Sequence, residues 1–124
     1  MGDIDADAIH TALADRLGTS LRAVIRYDGE RIDSTARADV EDEYDDIRQL
    51  VDNNILHQLD AEEVEQVFRL GTLEAVVRVF ERSWVVRVAD GPKRGCLFSV
   101  ERDDDVTMRA IEDGIAIVEE ELRD

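Results

Sequence analysis

Hydrophobic residues recur at helical spacing in four segments of the chain. Ile9, Leu13 and Leu17 stand four positions apart and Gly18 follows them as a C-terminal cap, which predicts an N-terminal helix. Longer stripes of the same period predict a central and a C-terminal helix, and the Asp60/Glu63 pair indicates the capped start of a short additional helix. The predicted helices cover residues 5–18, 40–55, 60–70 and 105–122.

Between the helices the hydrophobic positions alternate with period two, as they do in strands. Five such segments occur, and the Asp28-Gly29 dipeptide between the first two is typical of a hairpin turn. They cover residues 21–28, 30–35, 73–82, 84–89 and 96–101. Most connections are short, so we expect antiparallel neighbours, with the polar second strand at an edge. The sequence predicts one α+β domain over residues 1–124: a five-stranded, mostly antiparallel sheet with N-terminal, central (plus short extra) and C-terminal helices.

The charge of the chain adds a statement about its solvent. Asp and Glu number 31 against 15 Lys and Arg, for a formal net charge of -16, and Lys93 is the only lysine. Such self-repulsion destabilises a compact state in dilute salt but is screened in molar salt, where the Debye length falls to about 3 Å. The acids are scattered, so we interpret them as adaptation to high salt; the composition resembles that of cytoplasmic haloarchaeal proteins. A partner-directed acidic surface is the alternative.

Several classes of protein are disfavoured by what the sequence contains. It has no cluster of Lys and Arg, so we expect no nucleic-acid binding. It has no signal-peptide pattern at the N-terminus and no apolar run near the ~20 residues of a membrane span. Cys96 is the single cysteine, so no internal disulfide can form. These observations predict a cytoplasmic protein with no membrane partner.

The order helix, two strands, central helix, three strands, helix resembles that of the roadblock/LC7 family, within the profilin-like and longin-like group. The resemblance covers roughly residues 9–122 and includes the Asp28-Gly29 hairpin. Two features depart from the family layout: the extra helix at 60–70 and the short, polar second strand. The resemblance implies a homodimer whose sheets join at the third strand, residues 73–82. It also implies a non-catalytic regulator, often partnered with a small Ras-like GTPase.

Few residues are candidates for metal binding or nucleophilic catalysis. His10, His57 and Cys96 lie far apart in the chain and form none of the close pairs found in zinc sites. The ordinary interpretation is one buried, inert cysteine and two surface histidines. A nucleophilic Cys96 would need one of the histidines nearby in space. We therefore predict no catalytic residues, no metal site and no cofactor.

Two loops admit a functional and an ordinary interpretation. The 91–95 loop, Gly-Pro-Lys-Arg-Gly, could hold an anion on its backbone amides, but such a loop is more often simply a turn. The acidic run 103–105 could bind a hard cation, although it lacks the spaced ligands of a calcium loop. A solvated turn before a helix N-terminus is the alternative there, and Asp105 is the predicted cap of the C-terminal helix.

Alternation also places arginines and apolar residues together on one face of the predicted sheet. The arginines are Arg22, Arg26, Arg78 and Arg87, and the apolar residues are Val24, Val76, Phe80, Val85 and Leu97. One interpretation is that the central helix covers this face and its acids pair with the arginines. The other is a protein interface, where arginine and aromatic side chains are enriched. The candidate interface residues are Arg22, Arg26, Val76, Arg78, Phe80 and Arg87.

Three functions follow from these patterns, in order of preference. The first is a non-enzymatic, homodimeric interaction or regulatory module, joined through strand 73–82 or through the central helix. The second is a small-ligand sensor, which would need a cavity of roughly 300 Å³ or more. The third is an enzyme.

Overall fold

Two helices and five strands make up the part of the chain that the computed structural model describes, residues 5–29, 31–37, 74–91, 93–104 and 106–123. The helices are α1 (Asp7–Leu17), which runs into a 3₁₀ turn (Gly18–Ser20), and α2 (Met108–Arg123). The strands are β1 (Leu21–Asp28), β2 (Arg31–Ala36), β3 (Ala75–Val79), β4 (Ser83–Ala89) and β5 (Arg94–Glu101). The predicted central helix at 40–55 and the short helix at 60–70 lie outside the described residues.

The five strands form one sheet in the order β2-β1-β5-β4-β3. Every neighbouring pair is antiparallel, which confirms the predicted α+β class. The polar strand β2 lies at one edge, as predicted, and β3 lies at the other. Among the described helices, none is long and apolar enough to cross a membrane.

The hydrophobic core lies between the two helices and one face of the sheet. The α1 residues Ile9, Leu13 and Leu17 are buried there, as their four-residue spacing predicts. Each buried aliphatic side chain of this kind contributes about 1.5–3 kcal/mol to the free energy of unfolding. The buried members of the core are Ala6, Ile9, Leu13, Leu17, Leu21, Val24, Val86, Val88, Cys96, Phe98, Val100, Ala110, Ile111 and Val118.

A β-bulge near the start of β1 changes which side chains reach this core. Leu21 lies opposite Val100 and Ala23 lies opposite Ser99, so the register shifts by one residue between them. As a result, Leu21 and Val24 are both buried against the helices although they stand three positions apart. Strict alternation would place Leu21 on the same face as Ala23, and the inserted residue is the reason that it lies in the core instead.

Helix α2 begins at Met108, three residues later than predicted. The Ala110 N–H donates to the Thr107 hydroxyl at 3.3 Å, an interaction typical of a helix N-cap. The predicted cap, Asp105, lies outside the described residues. Further along, a Cβ atom on Gly114 would lie 3.1 Å from Cζ of Phe98. The small size of Gly114 thus lets α2 approach the sheet closely.

A second close approach, at Gly95 of β5, gives a testable prediction for fold stability. A Cβ atom there would lie 2.5 Å from the Val88 carbonyl oxygen and 2.8 Å from Oη of Tyr27. Neither the ladder backbone nor a buried ring can move away easily, so we expect Gly95→Ala to lower the free energy of unfolding by about 1–3 kcal/mol. Urea unfolding at fixed KCl concentration measures this change.

The matched control is Gly114→Ala, whose new methyl would meet side-chain atoms only: the end of the Phe98 ring at 3.1 Å and Cδ2 of Leu13 at 3.5 Å. Its crowding is offset by the higher helix propensity of alanine, about 1 kcal/mol, so the loss should be smaller than at Gly95. A Gly95→Ala variant as stable as the wild type would contradict the packing described here.

Candidate interaction surface

The sheet face opposite α1 and α2 carries a buried arginine among apolar side chains. Register places Ile25 opposite Leu97 and Leu97 opposite Arg87, so these side chains share the face. Ile25, Tyr27 and Leu97 form a second buried cluster. We call this surface the arginine face; its members are Ile25, Tyr27, Val76, Arg78, Val85, Arg87 and Leu97.

Arg87 is the most unusual residue of the arginine face. Its side chain is only 2% exposed, and its Nε donates to Oη of Tyr27 at 3.0 Å. Its Nη2 is buried with no hydrogen-bond partner, and among the described residues no carboxylate forms an ion pair with it. A buried guanidinium remains charged and is normally paired. Here a neutral phenol is the hydrogen-bond acceptor that the structure shows for it.

Tyr27, which accepts this hydrogen bond, is as deeply buried as Arg87. Its side chain is 1% exposed and its ring lies against Gly95. Burial raises the pKa of the Tyr27 phenol above its ordinary value, although the charge of Arg87 acts in the opposite direction. The phenol therefore stays neutral at physiological pH. It interacts with Arg87 as a hydrogen-bond acceptor and supplies no negative charge. Sequence patterns could not identify Tyr27 as the partner of Arg87, because 60 residues separate them.

Three of the six candidate interface residues, Val76, Arg78 and Arg87, lie on the arginine face. Arg26 does not, so the predicted grouping is wrong on this point. Arg26 lies opposite Cys96, whose side chain is in the core, and its Nη1 is 3.5 Å from the Asp5 carbonyl oxygen.

The error has a physical cause in the pairing of β1 with β5. Alternation divides one strand into two sets of side chains but does not say which set lies on which face. Val24 lies opposite Phe98, which places Val24 and Arg26 on the helix-covered face. Arg22 stands at the bulge, where its carbonyl oxygen accepts from the Arg37 N–H at 2.9 Å. The interface role of these residues remains a prediction.

Phe80 follows the last residue of β3 and lies at the surface. Phe80 is 50% exposed and its neighbour Val79 is 55% exposed. The Phe80 N–H donates to the Ser83 carbonyl at 2.8 Å, and the Phe80 carbonyl accepts from Nη1 of Arg102 at 3.0 Å. The Arg102 guanidinium also lies over the Trp84 ring, 5.5 Å from its centroid. The turn is thus fixed from both sides while two large apolar side chains face solvent.

The backbone of β3 points alternately toward β4 and away from it. The Phe80 N–H bonds to Ser83, and the Glu74 carbonyl accepts from the Ala89 N–H at 2.9 Å. The β3–β4 register is unbroken between these two bonds. Antiparallel pairing alternates, so the N–H and C=O groups of Ala75, Val77 and Val79 point away from β4. In the described sheet β3 is the last strand, so these groups form its outer edge.

The residues considered for catalysis are not brought together. Cys96 is 0% exposed, and burial raises the pKa of its thiol to about 12, so at neutral pH it is a protonated core residue. His10 lies on α1, and His57 lies outside the described residues. Within the described ranges, no group of three or more His, Cys, Asp or Glu side chains could hold a metal ion.

The polar groups of the two loops with open interpretations bond to other residues of the chain. The Asp90 N–H donates to the Arg94 carbonyl at 2.9 Å, so the chain on the two sides of the loop is joined by a hydrogen bond. The Arg94 guanidinium lies 3.6 Å from Asp28 and 3.4 Å from Asp90, so its charge is already shared with carboxylates. In the acidic run, the Asp103 carboxylate accepts from the Ser20 hydroxyl at 2.7 Å.

An open cleft of about 190 Å³ lies where the end of α2 meets the sheet. Its lining residues are Glu74, Ala89, Asp90, Glu119, Leu122 and Arg123. The volume is below the roughly 300 Å³ typical of small-ligand sites, and the lining is mostly charged. This cleft does not favour the ligand-sensor hypothesis.

The Tyr27–Arg87 pair gives a prediction with different outcomes for two variants. Tyr27→Phe removes the acceptor and leaves a buried cation unpaired, so the free energy of unfolding should fall by about 1–3 kcal/mol. Arg87→Met removes the buried charge and keeps an apolar side chain of similar length, so it should change stability by less than about 1 kcal/mol. Urea unfolding of both variants measures these effects.

The double variant is the control for this interpretation. In the Arg87→Met background, Tyr27→Phe should have little further effect, since the hydrogen bond is already absent. Equal losses for Tyr27→Phe in both backgrounds would show that the phenol hydroxyl serves some other partner.

The fold is similar to that of known structures. The gliding protein MglB from Thermus thermophilus, a roadblock/LC7-family protein, is similar over 97% of this chain and 95% of that one, with a TM-score of 0.55 and 14% sequence identity. MglC from Myxococcus xanthus is similar over 92% and 98% of the two chains, with a TM-score of 0.43 and 16% identity. The MglB match confirms the predicted roadblock-like fold.

Sequence comparison identifies the family. The sequence matches no curated protein. The DUF7522 family, described as a domain of unknown function, matches residues 7–121, which is nearly the whole chain and includes every described strand. The chain therefore belongs to the DUF7522 family.

Proposed function

We propose that this chain is a non-enzymatic protein-interaction module that forms a homodimer by pairing β3 with β3 of a second copy. The proposal rests on the outer edge of β3. There, Ala75, Val77 and Val79 direct their N–H and C=O groups away from β4. A row of such groups is a template for another strand.

The two edges of the sheet differ in a way that favours β3. Strand β2 carries Arg31 and Asp33, and Asp33 accepts from the Ala6 N–H at 2.6 Å, which ties this edge to the start of α1. Charged and covered edges resist pairing. Strand β3 has the sequence Ala-Val-Val-Arg-Val, and its exposed Val79 is followed by the exposed Phe80. Pairing at β3 would remove this apolar surface from water.

The proposed role is regulatory and the proposed partner is a protein. The fold is shared with the gliding protein MglB, and the roadblock family to which the chain is similar implies a small Ras-like GTPase or another regulatory protein as partner. An enzymatic role has less support, because the one cysteine is buried and protonated. We further propose a cytoplasmic protein adapted to high salt, on the basis of the net charge of -16.

The dimer gives a direct test by light scattering in molar KCl, where charge repulsion between two acidic chains is screened. The expected mass is twice the 14.0 kDa of the chain at micromolar concentration. Val77→Pro should abolish the dimer, because proline removes an outward-pointing N–H without removing a β3–β4 hydrogen bond.

Ser34→Pro on β2 is the matched control. The Arg37 N–H bonds to the Arg22 carbonyl, so by alternation the Ser34 N–H also points outward, but from the opposite edge. This variant should remain a dimer, and circular dichroism should show that both proline variants are folded. A monomeric wild type, or a Val77→Pro dimer as tight as the wild type, would contradict the proposal.

A further inference from the structure

If the homodimer proposed above forms, the geometry of β3 limits how its two copies can align. The inference below therefore rests on that homodimer. Two identical strands pair antiparallel in one sheet only about a two-fold axis normal to that sheet. Residues directly opposite each other then lie on the same face, and one residue of β3 lies opposite its own copy. Three central positions can take this place: Val76, Val77 and Arg78.

An axis at Arg78 is disfavoured by incomplete backbone pairing and, where salt does not screen it, by charge. It would set the Arg78 guanidinium directly opposite its copy, and like charges in that position destabilise a strand pair. It would also leave the outward N–H and C=O of Ala75 without a partner inside β3 of the second copy.

An axis at Val76 has one attraction and one defect. It would place Arg78 opposite Glu74 of the second copy, an opposite-charge pair. However, Glu74 is exposed, and an exposed ion pair contributes little and is screened further in molar salt. The same alignment carries Val79 beyond the end of the opposite β3, so its outward backbone groups and its exposed side chain gain no partner there.

An axis at Val77 has neither defect. All three outward residues find partners: Val77 pairs with its copy, and Ala75 pairs with Val79 in both directions. The exposed Val79 side chain then lies beside Ala75 on the helix-covered face, which Ala75 and Val77 already border. On the arginine face, Arg78 lies opposite Val76 rather than opposite another charge.

We propose that the dimer axis passes through Val77 and that Val76 of each copy faces Arg78 of the other. Arg78 also makes a contact within its own chain. The proposed pairing places the aliphatic stem of Arg78 beside Val76 and requires nothing of its guanidinium.

Disulfide cross-linking separates the three alignments. Val76 and Arg78 form the non-hydrogen-bonded type of pair, in which Cα atoms are about 4.5 Å apart, within the range that a disulfide spans. We expect no cross-linked dimer from Val76→Cys alone or Arg78→Cys alone. The two variants are mixed in equal amounts, left to exchange subunits and then oxidised. The mixed dimers that form by random exchange should become cross-linked. Non-reducing gel electrophoresis measures the product.

Two controls isolate the designed pair. The wild type should not cross-link, because Cys96 is buried. Val85→Cys mixed with Val76→Cys should also fail, since Val85 lies one strand further from the edge on the same face.

Each other outcome overturns a different statement. Cross-linking of Val76→Cys alone would place the axis at Val76, and cross-linking of Arg78→Cys alone would place it at Arg78. A dimer by mass with no cross-link in any sample would overturn the alignment at Val77, and a Val77→Pro variant that still dimerises would show that the copies join elsewhere than at β3. A monomer by mass would overturn the homodimer itself.

Discussion

The register between β1, β5 and β4 decides which side chains form the core and which lie on the arginine face. Val24 lies opposite Phe98, and Phe98 lies opposite Val86, so one row of apolar side chains runs under the two helices. A shift of one residue would exchange the core side chains with those of the arginine face. The bulge at the start of β1 adjusts this register so that Leu21 also reaches the core.

The same register explains why Arg87 is buried on the face opposite the helices. Once Phe98 and Val86 face the core, the intervening residues Leu97 and Arg87 must face the other way. Tyr27 reaches Arg87 because β1 is two strands away in the same sheet, and Gly95 leaves room for its ring. A polar pair thus sits inside an apolar cluster, where a hydrogen bond is stronger and an unpaired group more costly than at the surface.

The sequence was sufficient to locate the described elements but not to assign their faces. Spacing located the described strands to within a few residues, since amphipathic strands repeat with a fixed period, and polarity placed β2 at an edge. The assignment of Arg26 to the arginine face failed because one strand's alternation carries no information about its partner's register. The Tyr27–Arg87 bond could not be foreseen either, because it joins residues distant in sequence. The start of α2 was predicted less accurately, because Thr107 caps the helix whereas Asp105 was the predicted cap.

The two edges of the sheet are unequal, and the proposed dimer depends on that difference. Hydrogen exchange of the backbone amides, followed by nuclear magnetic resonance in molar KCl over a range of protein concentration, compares the two edges. The Val77 N–H points outward on β3 and the Ser34 N–H points outward on β2. If β3 pairs with its copy, the Val77 amide becomes protected as concentration rises while the Ser34 amide continues to exchange rapidly. Equally rapid exchange of both amides at every concentration would contradict this pairing.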